Sequence, residues 1–396
     1  MNRTYVEINL DNIKHNVKNI IKKYNNYDYY IGVVKGNAYG HGEYIVNELE
    51  KNGINYIAVA TIEEAINVRK YNEHIPILIL EPIEIDDLNI ALKYNFTITV
   101  HDLDYIKELD KNITKKIKCH IKIDSGMGRL GINNKDELKE SYDILNNNKY
   151  IVIEGIYSHF ATIGVFDKKW DNQLYNFKNI TSLIDINSIP IRHLGSSIVL
   201  LSHPKIDFCN AIRIGTLLYG YNITPITSNK GIKNKLRLLR NRYYQKKYNI
   251  SETYTNVELD LLPCMSFYTN VLQIKKIKSG ESIGYGAKVK IENDILVAII
   301  PIGYNNGIGT GNINRYVYIN NKKYEVLSVG MNMSFVKIDD KVNTKDKVVL
   351  LEKDCITIGA LARFTNRTFH EMLLSIGSSN KRIYTKNNKI EFIEEK

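Results

Sequence analysis

The chain has 396 residues, 44% hydrophobic and 24% charged, a soluble globular balance with more length than one hydrophobic core usually organises, so two domains are expected. No apolar run reaches 18 residues, Met1 to Glu7 lack the apolar centre of a signal peptide, and Cys119, Cys209, Cys264 and Cys355 include no C-x-x-C pair; a membrane span, a disulfide framework and a zinc site are therefore not expected, and the cytoplasm is. The net charge of +11 is local: without the eight lysines and arginines between Ser228 and Lys247, 46 basic residues remain against 43 acidic ones, so no nucleic-acid partner is expected.

In chain order, Asn9 or Asp11 can cap a helix that carries Ile13, Val17, Ile20 and Ile21 on one face. Short apolar, β-branched runs then alternate with helical patterns such as Glu63–Lys70 and Asp136–Leu145. The runs are Ile31–Val34, Tyr56–Ala60, Pro76–Leu80, Thr97–Val100, Lys118–Ile123, Ile151–Tyr157, Ile191–Leu194 and Ala211–Ile214. Eight buried parallel strands separated by helices predict a (β/α)8 barrel over residues 10–225.

Two of these strands end on chemistry. Ile31–Val34 is cut off by Lys35 and a glycine-rich turn, Gly36, Gly40 and Gly42, with Tyr39 inside it. The carboxyl ends of barrel strands are where active sites are built. A lysine held there against apolar residues loses solvation and becomes a usable amine nucleophile. On Lys35 alone, a turn lysine reaching solvent is an equally good reading. The second is Lys122-Ile123-Asp124-Ser125-Gly126-Met127-Gly128-Arg129, where an arginine fork at a strand end suits a carboxylate.

The basic stretch places Ile232, Leu236, Leu239 and Tyr243 at helical spacing. A membrane or anionic partner would fit such a helix, but a linker helix that packs this stripe and solvates its charges is the favoured expectation. Residues 226–260 form this basic insertion or linker. From 261 to 396 the rhythm becomes that of an all-β domain, to which residues 1–9 can add a strand. Its predicted strands are Val271–Ile274, Ile295–Ile302, Tyr316–Ile319, Glu325–Val329, Phe335–Ile338, Val348–Leu351 and Ile356–Ile358, with a hairpin turn at Asn320-Asn321.

Several ordered motifs together resemble the alanine racemase family, fold type III enzymes that use pyridoxal 5′-phosphate. They are V-V-K-G-N-A-Y-G-H-G at Lys35, I-D-S-G-M-G-R-L-G at Arg129, Tyr157-Ser158-His159-Phe160-Ala161, Arg213-Ile214-Gly215, Gly284-Tyr285-Gly286-Ala287 and Ile300-Pro301-Ile302-Gly303-Tyr304. The resemblance implies that Lys35 bonds the cofactor and moves a proton on one face of the substrate α-carbon. Tyr285 would be the base on the other face, contributed by the partner subunit of a head-to-tail homodimer. Arg213 would face the pyridine nitrogen, and His159 would hydrogen-bond Arg213 or be an ordinary satisfied core histidine. Tyr39, Ser197, Gly215, Thr216 and His370 would cradle the phosphate. Arg129, Met331, Asn332 and Tyr304 would meet the substrate, and Lys122 matches a lysine carbamylated in some members.

The chain departs from the family where Asn332 replaces a usual aspartate, His370 a common tyrosine and Ser196 a usual asparagine. The implied function is two-base racemisation of L-alanine to D-alanine for peptidoglycan. Racemisation of serine or another small amino acid, or cofactor binding without turnover, are the alternatives.

Overall fold

The computed structural model describes residues 4–162, 168–222, 259–311 and 314–395, together with Leu236, Leu239, Arg242, Tyr243, Lys246 and Lys247. The chain divides into two compact units. One contains Met1–Ile13, Gly36–Ile45 and Leu262–Lys396, the other Lys14–Lys35 and Val46–Leu261.

In the second unit, eight parallel strands are β2 (Tyr29–Val33), β3 (Tyr56–Val59), β4 (Ile77–Ile79), β5 (Thr97–Val100), β6 (Ile117–Lys122), β7 (Ile151–Tyr157), β8 (Ile191–His193) and β9 (Ala211–Ile214). They pair in the order β8-β7-β6-β5-β4-β3-β2-β9. Across the remaining seam, Asn210 N donates to Arg192 O at 3.2 Å and Arg213 N to Gly195 O at 3.3 Å, which brings the sheet nearly to a closed barrel. Strands such as Tyr56–Val59 and Thr97–Val100 are buried at every position, because helices cover one face and barrel side chains fill the other. The Asn9 carboxamide accepts the amide of Asn12 at 3.0 Å and caps helix Leu10–Lys23. Ile13, Val17 and Ile20 of that helix are buried.

The first unit is built on a ten-stranded sheet, ordered β11-β14-β17-β16-β15-β18-β10-β1-β19-β20. Its strands are β1 (Tyr5–Asn9), β10 (Met265–Asn270), β11 (Gln273–Ile277), β14 (Ile295–Ile300), β15 (Tyr316–Ile319), β16 (Lys322–Val329), β17 (Ser334–Ile338), β18 (Lys347–Leu351), β19 (Arg382–Lys386) and β20 (Lys389–Glu394). The short hairpin β12 (Ser282–Ile283) and β13 (Val289–Lys290) lies apart from it. Asn320 and Asn321 both have positive φ, 50° and 62°, and join Ile319 to its partner Lys322 in a two-residue turn.

Three expectations are corrected. The run Val271–Ile274 straddles two strands, β10 ending at Asn270 and β11 starting at Gln273. Ile356–Ile358 is not a strand: Ile356 makes one bridge to Glu352, and the Thr357 hydroxyl accepts the Ala360 amide to cap helix Ile358–Thr365. A second helix, Phe369–Ser379, starts with a capping box between Thr368 and Glu371. In the basic segment, Leu236, Leu239 and Tyr243 are helical and exposed, so the stripe is not packed as expected; Ile232 lies outside the described residues. No described helix is long and apolar enough to cross a membrane.

Candidate active site

Lys35 directly follows β2, and from it the chain enters a turn that L-residues rarely adopt. Gly36 (φ 62°), Asn37 (52°), Ala38 (51°) and Tyr39 (54°) are all left-handed. Gly40 N closes this left-handed helical turn on Gly36 O at 3.0 Å. Three of the four carry a Cβ, which costs about 1–2 kcal/mol each in this region. The surroundings hold the conformation in place. A Cβ on Gly40 would sit 2.3 Å from Leu373 O, and one on Gly36 would meet Leu374. With the Asn37 amide turned to suit its neighbours, its oxygen accepts from both terminal nitrogens of Arg382 (2.9 and 3.1 Å) and its nitrogen donates to Glu43 at 2.7 Å. Arg382 is in turn a bidentate partner of Glu394, at 2.9 and 2.7 Å. Lys35 itself is exposed, so the desolvation expected from its sequence neighbours is not met.

The other barrel strands bring their site residues to the same carboxyl end by the topology of a parallel barrel. Lys122 closes β6, Ser158 and His159 follow β7, Ser197 begins the helix after β8, and Arg213 with Gly215 and Thr216 lies at the end of β9. Arg213 is buried and both terminal nitrogens of its guanidinium are engaged, which leaves Nε–H as its remaining donor: one terminal nitrogen donates to His193 Nδ1 (2.6 Å) and His193 O (2.8 Å), the other to Ser158 O (2.7 Å), Leu194 O (3.2 Å) and His159 Nδ1 (3.2 Å). The expected His159–Arg213 contact is present. His193, which sequence reasoning passed over, is the closer partner. Burial, then the cations Arg213, Lys122, Arg129 and Lys35, push the His159 ring down to about 2, so it is neutral.

Tyr157 is the platform below these groups. Its ring stacks on His193 at 4.8 Å, Arg213 lies 5.4 Å from its centroid, and the Lys122 amine sits 4.3 Å above it. Burial and the nearby Arg213 and Arg129 push Lys122 down to about 6, which leaves a neutral, nucleophilic amine at pH 7. Arg129 stands on a loop shaped by Asp124, whose carboxylate accepts the amides of Gly126, Met127, Gly128 and Arg129. The guanidinium of Arg129 is exposed and has no hydrogen bond among the described residues. Ser197 Oγ accepts the amide of Gly215 at 2.9 Å, which leaves the serine proton, and not that amide, as the donor for an anion.

In the β unit, Tyr39 and His370 lie 5.8 Å apart ring to ring, and burial pushes the Tyr39 phenol up to about 12. A cavity of about 580 Å³ is lined by Gly284, Tyr285, Gly330, Met331, Asn332 and Phe335 among others. The Tyr304 amide donates to Gly330 O at 3.1 Å, beside this cleft. Thus Tyr285, Met331, Asn332 and Tyr304, scattered in sequence, share one surface. Tyr285 sits between two positive-φ glycines and is 86% exposed.

A lysine, a buried arginine and hydroxyl donors gathered at the mouth of a (β/α)8 barrel, with a separate β domain carrying an exposed tyrosine, define an enzyme of the barrel-plus-β-domain class. Residues 8–223 match the alanine racemase N-terminal domain and residues 264–384 the alanine racemase C-terminal domain, and the chain belongs to the alanine racemase family. Alanine racemase 1 of Clostridium acetobutylicum is 33% identical over 98% of this chain and 96% of its own length, and the alanine racemase of Staphylococcus epidermidis 30% over 99% and 97%. The solved alanine racemase of Clostridium difficile superposes with a TM-score of 0.85 at 29% identity, covering 100% of this chain and 99% of that one. The family depends on pyridoxal 5′-phosphate.

Proposed function

We propose that this protein is a pyridoxal 5′-phosphate-dependent racemase of alanine that works as a homodimer. The observation that carries this reading is the placement of Lys35 at the carboxyl end of β2, immediately before a strained turn held by its surroundings. The donor set of the barrel fits the cofactor: an amine for its aldehyde carbon, a buried arginine for its ring nitrogen, and the hydroxyls of Ser197 and Thr216 for its phosphate dianion. Bound there, the cofactor supplies the electron sink that acidifies the α-hydrogen of an amino acid.

The chain's own residues do the rest. Lys35 takes or returns the proton on one face of the α-carbon. The partner subunit's Tyr285 does so on the other, a role that its exposure in one subunit supports. Arg213, a permanent donor that cannot accept a proton, keeps the ring nitrogen unprotonated, which limits electron withdrawal and favours return of the proton to carbon. Arg129 is free to meet the substrate carboxylate. Lys122, as a neutral amine, is able to take up carbon dioxide with loss of a proton, and the resulting carbamate would orient Arg129.

The test is a racemisation assay over small L-amino acids with added pyridoxal phosphate. Alanine should turn over fastest, and Lys35→Ala should abolish turnover. Faster turnover of serine would move the assignment to the alternative substrate, and absence of turnover with every amino acid would leave a cofactor-binding protein.

A further inference from the structure

A chain of buried polar groups runs from Arg213 through the barrel to its amino-terminal end. Beyond the 2.6 Å contact of Arg213 with His193 Nδ1, His193 Nε2 lies 2.9 Å from His120 Nδ1, and His120 Nε2 faces the Glu154 carboxylate at 3.5 Å. Glu154 also accepts from Tyr56 (2.6 Å), Thr97 (3.1 Å) and Lys118 (2.6 Å). The lysine is the end of the chain that reaches solvent, 44% exposed.

The direction of this chain follows from what each group can do. Arginine only donates, so His193 Nδ1 must accept and its proton must sit on Nε2. That proton is donated to His120 Nδ1, which places the His120 proton on Nε2 as well, on the side of the Glu154 carboxylate; at 3.5 Å this is the longest link of the chain, a charge contact outside hydrogen-bond geometry. Both rings are fully buried and held neutral by burial and by neighbouring cations. The backbone is shaped for this arrangement. The register of β6 against β7 shifts between Cys119 and His120, where Cys119 pairs with Ile153 and His120 with Gly155. Glu154 is therefore the extra residue of a β-bulge, a device that re-aims a side chain. At Gly155, a Cβ would lie 2.5 Å from the His120 ring, so only glycine leaves room for it.

We propose that Glu154 is a positioning residue for Arg213: through His120 and His193 it fixes both rings as Nε2–H tautomers, so that Arg213 meets an acceptor from below and remains a fixed donor at the carboxyl end of the barrel. The substitution Glu154→Gln keeps the shape and removes the charge; turned with its amide nitrogen in the place of the oxygen that faces Tyr56, Thr97 and His120, it offers the His120 Nε2 an N–H, and Glu154→Leu removes the acceptor in any orientation. If His120 then carries its proton on Nδ1, His193 must accept at Nε2 and present its own Nδ1–H to Arg213, donor against donor. The catalytic consequence rests on the racemase reading; the tautomers do not.

The experiment is ¹⁵N NMR of ring-labelled histidines in the holoenzyme, alongside kcat and KM for alanine. In the unmodified protein, His120 and His193 should both show Nε2–H. In Glu154→Gln at least one should move toward Nδ1–H and kcat should fall on the order of tenfold, the size of one hydrogen bond lost at the reacting centre, with KM within about twofold. Glu154→Asp, which keeps the charge, should restore the tautomers and most of kcat. His120→Gln cuts the chain at its middle, and the double variant should be no worse than the poorer single one. Unchanged tautomers and kcat in both Glu154→Gln and Glu154→Leu, with only a lower melting temperature, would overturn the proposal, as would additive losses in the double variant. Shifted tautomers in a protein that racemises nothing would support the chain and sink the racemase reading.

Discussion

Gly40 and Gly377 meet backbone to backbone: a Cβ built on Gly377 would lie 1.9 Å from the Gly40 carbonyl oxygen. Gly377 lies within helix Phe369–Ser379, where alanine is ordinarily favoured over glycine by about 1 kcal/mol. Here the sign should reverse. Gly377→Ala must push the helix off the left-handed turn that follows Lys35, a change with the 1–3 kcal/mol scale of overpacking. Thermal unfolding should show a lower melting temperature, and cofactor titration weaker binding. A variant at least as stable as the parent would mean that the turn does not depend on this contact.

Much of the barrel was legible because buried parallel strands read as short continuous apolar runs, and all eight predicted runs overlap strands. Ordered motifs marked Lys35, Arg129, Arg213 and Tyr285 as candidates, and the barrel topology accounts for the first three lying after strands β2, β6 and β9 or at their ends. What was not legible has physical causes. The turn at Asn37, Ala38 and Tyr39 uses backbone angles that sterics disfavour for those residues, so only its glycines signalled it. His120, Glu154 and His193 lie on separate strands, and pairing of β6, β7 and β8 with a bulge at Glu154 brings them together. The helix at Phe369 carried a readable signal, Thr368 followed three residues later by Glu371, which the β-rich surroundings obscured.

The buried histidines set the acid limit of the fold. Burial pushes His41 down to about 4 and His159 to about 2, and lowers His120 and His193. Each ring is neutral when folded and gains a proton more readily when unfolded, near the ordinary value of about 6.5. Their contribution is therefore whole above about pH 6.5 and is lost as pH falls toward the folded values, at up to about 1.4 kcal/mol per pH unit for each ring. Denaturant melts between pH 7.5 and 5 should show a steep fall in stability below about 6.5. A flat profile there would show that these rings are already protonated in the native state.

Lys122 provides a chemical test of the barrel mouth. With the amine pushed down to about 6, it is mostly neutral at pH 7.5, the form that attacks carbon dioxide. The resulting carbamate would be an anion close to Arg213 and Arg129, offsetting the two cations that add to burial in lowering this lysine. Protein equilibrated with ¹³C-bicarbonate should give a carbamate resonance that is absent in Lys122→Arg. No resonance at pH 8 with saturating bicarbonate would leave Lys122 as a neutral amine over the Tyr157 ring.

The two-base assignment predicts an asymmetry between its members. Lys35→Ala should lose both the visible absorbance of the lysine-linked cofactor and all turnover, because in the proposed mechanism one side chain would serve as attachment point and base. Tyr285→Ala should keep that absorbance, since Tyr285 is 86% exposed and contributes nothing to the packing of its own subunit that the cofactor needs. Its kcat should fall by about 10²–10⁴, the usual worth of a positioned acid or base. Proton NMR in D2O separates the faces. In Tyr285→Ala, the α-hydrogen of one alanine enantiomer should still wash out through Lys35, while that of the other persists. Equal washout of both enantiomers at the parent rate would remove Tyr285 from the mechanism, and loss of both would mean that Lys35 cannot act without it.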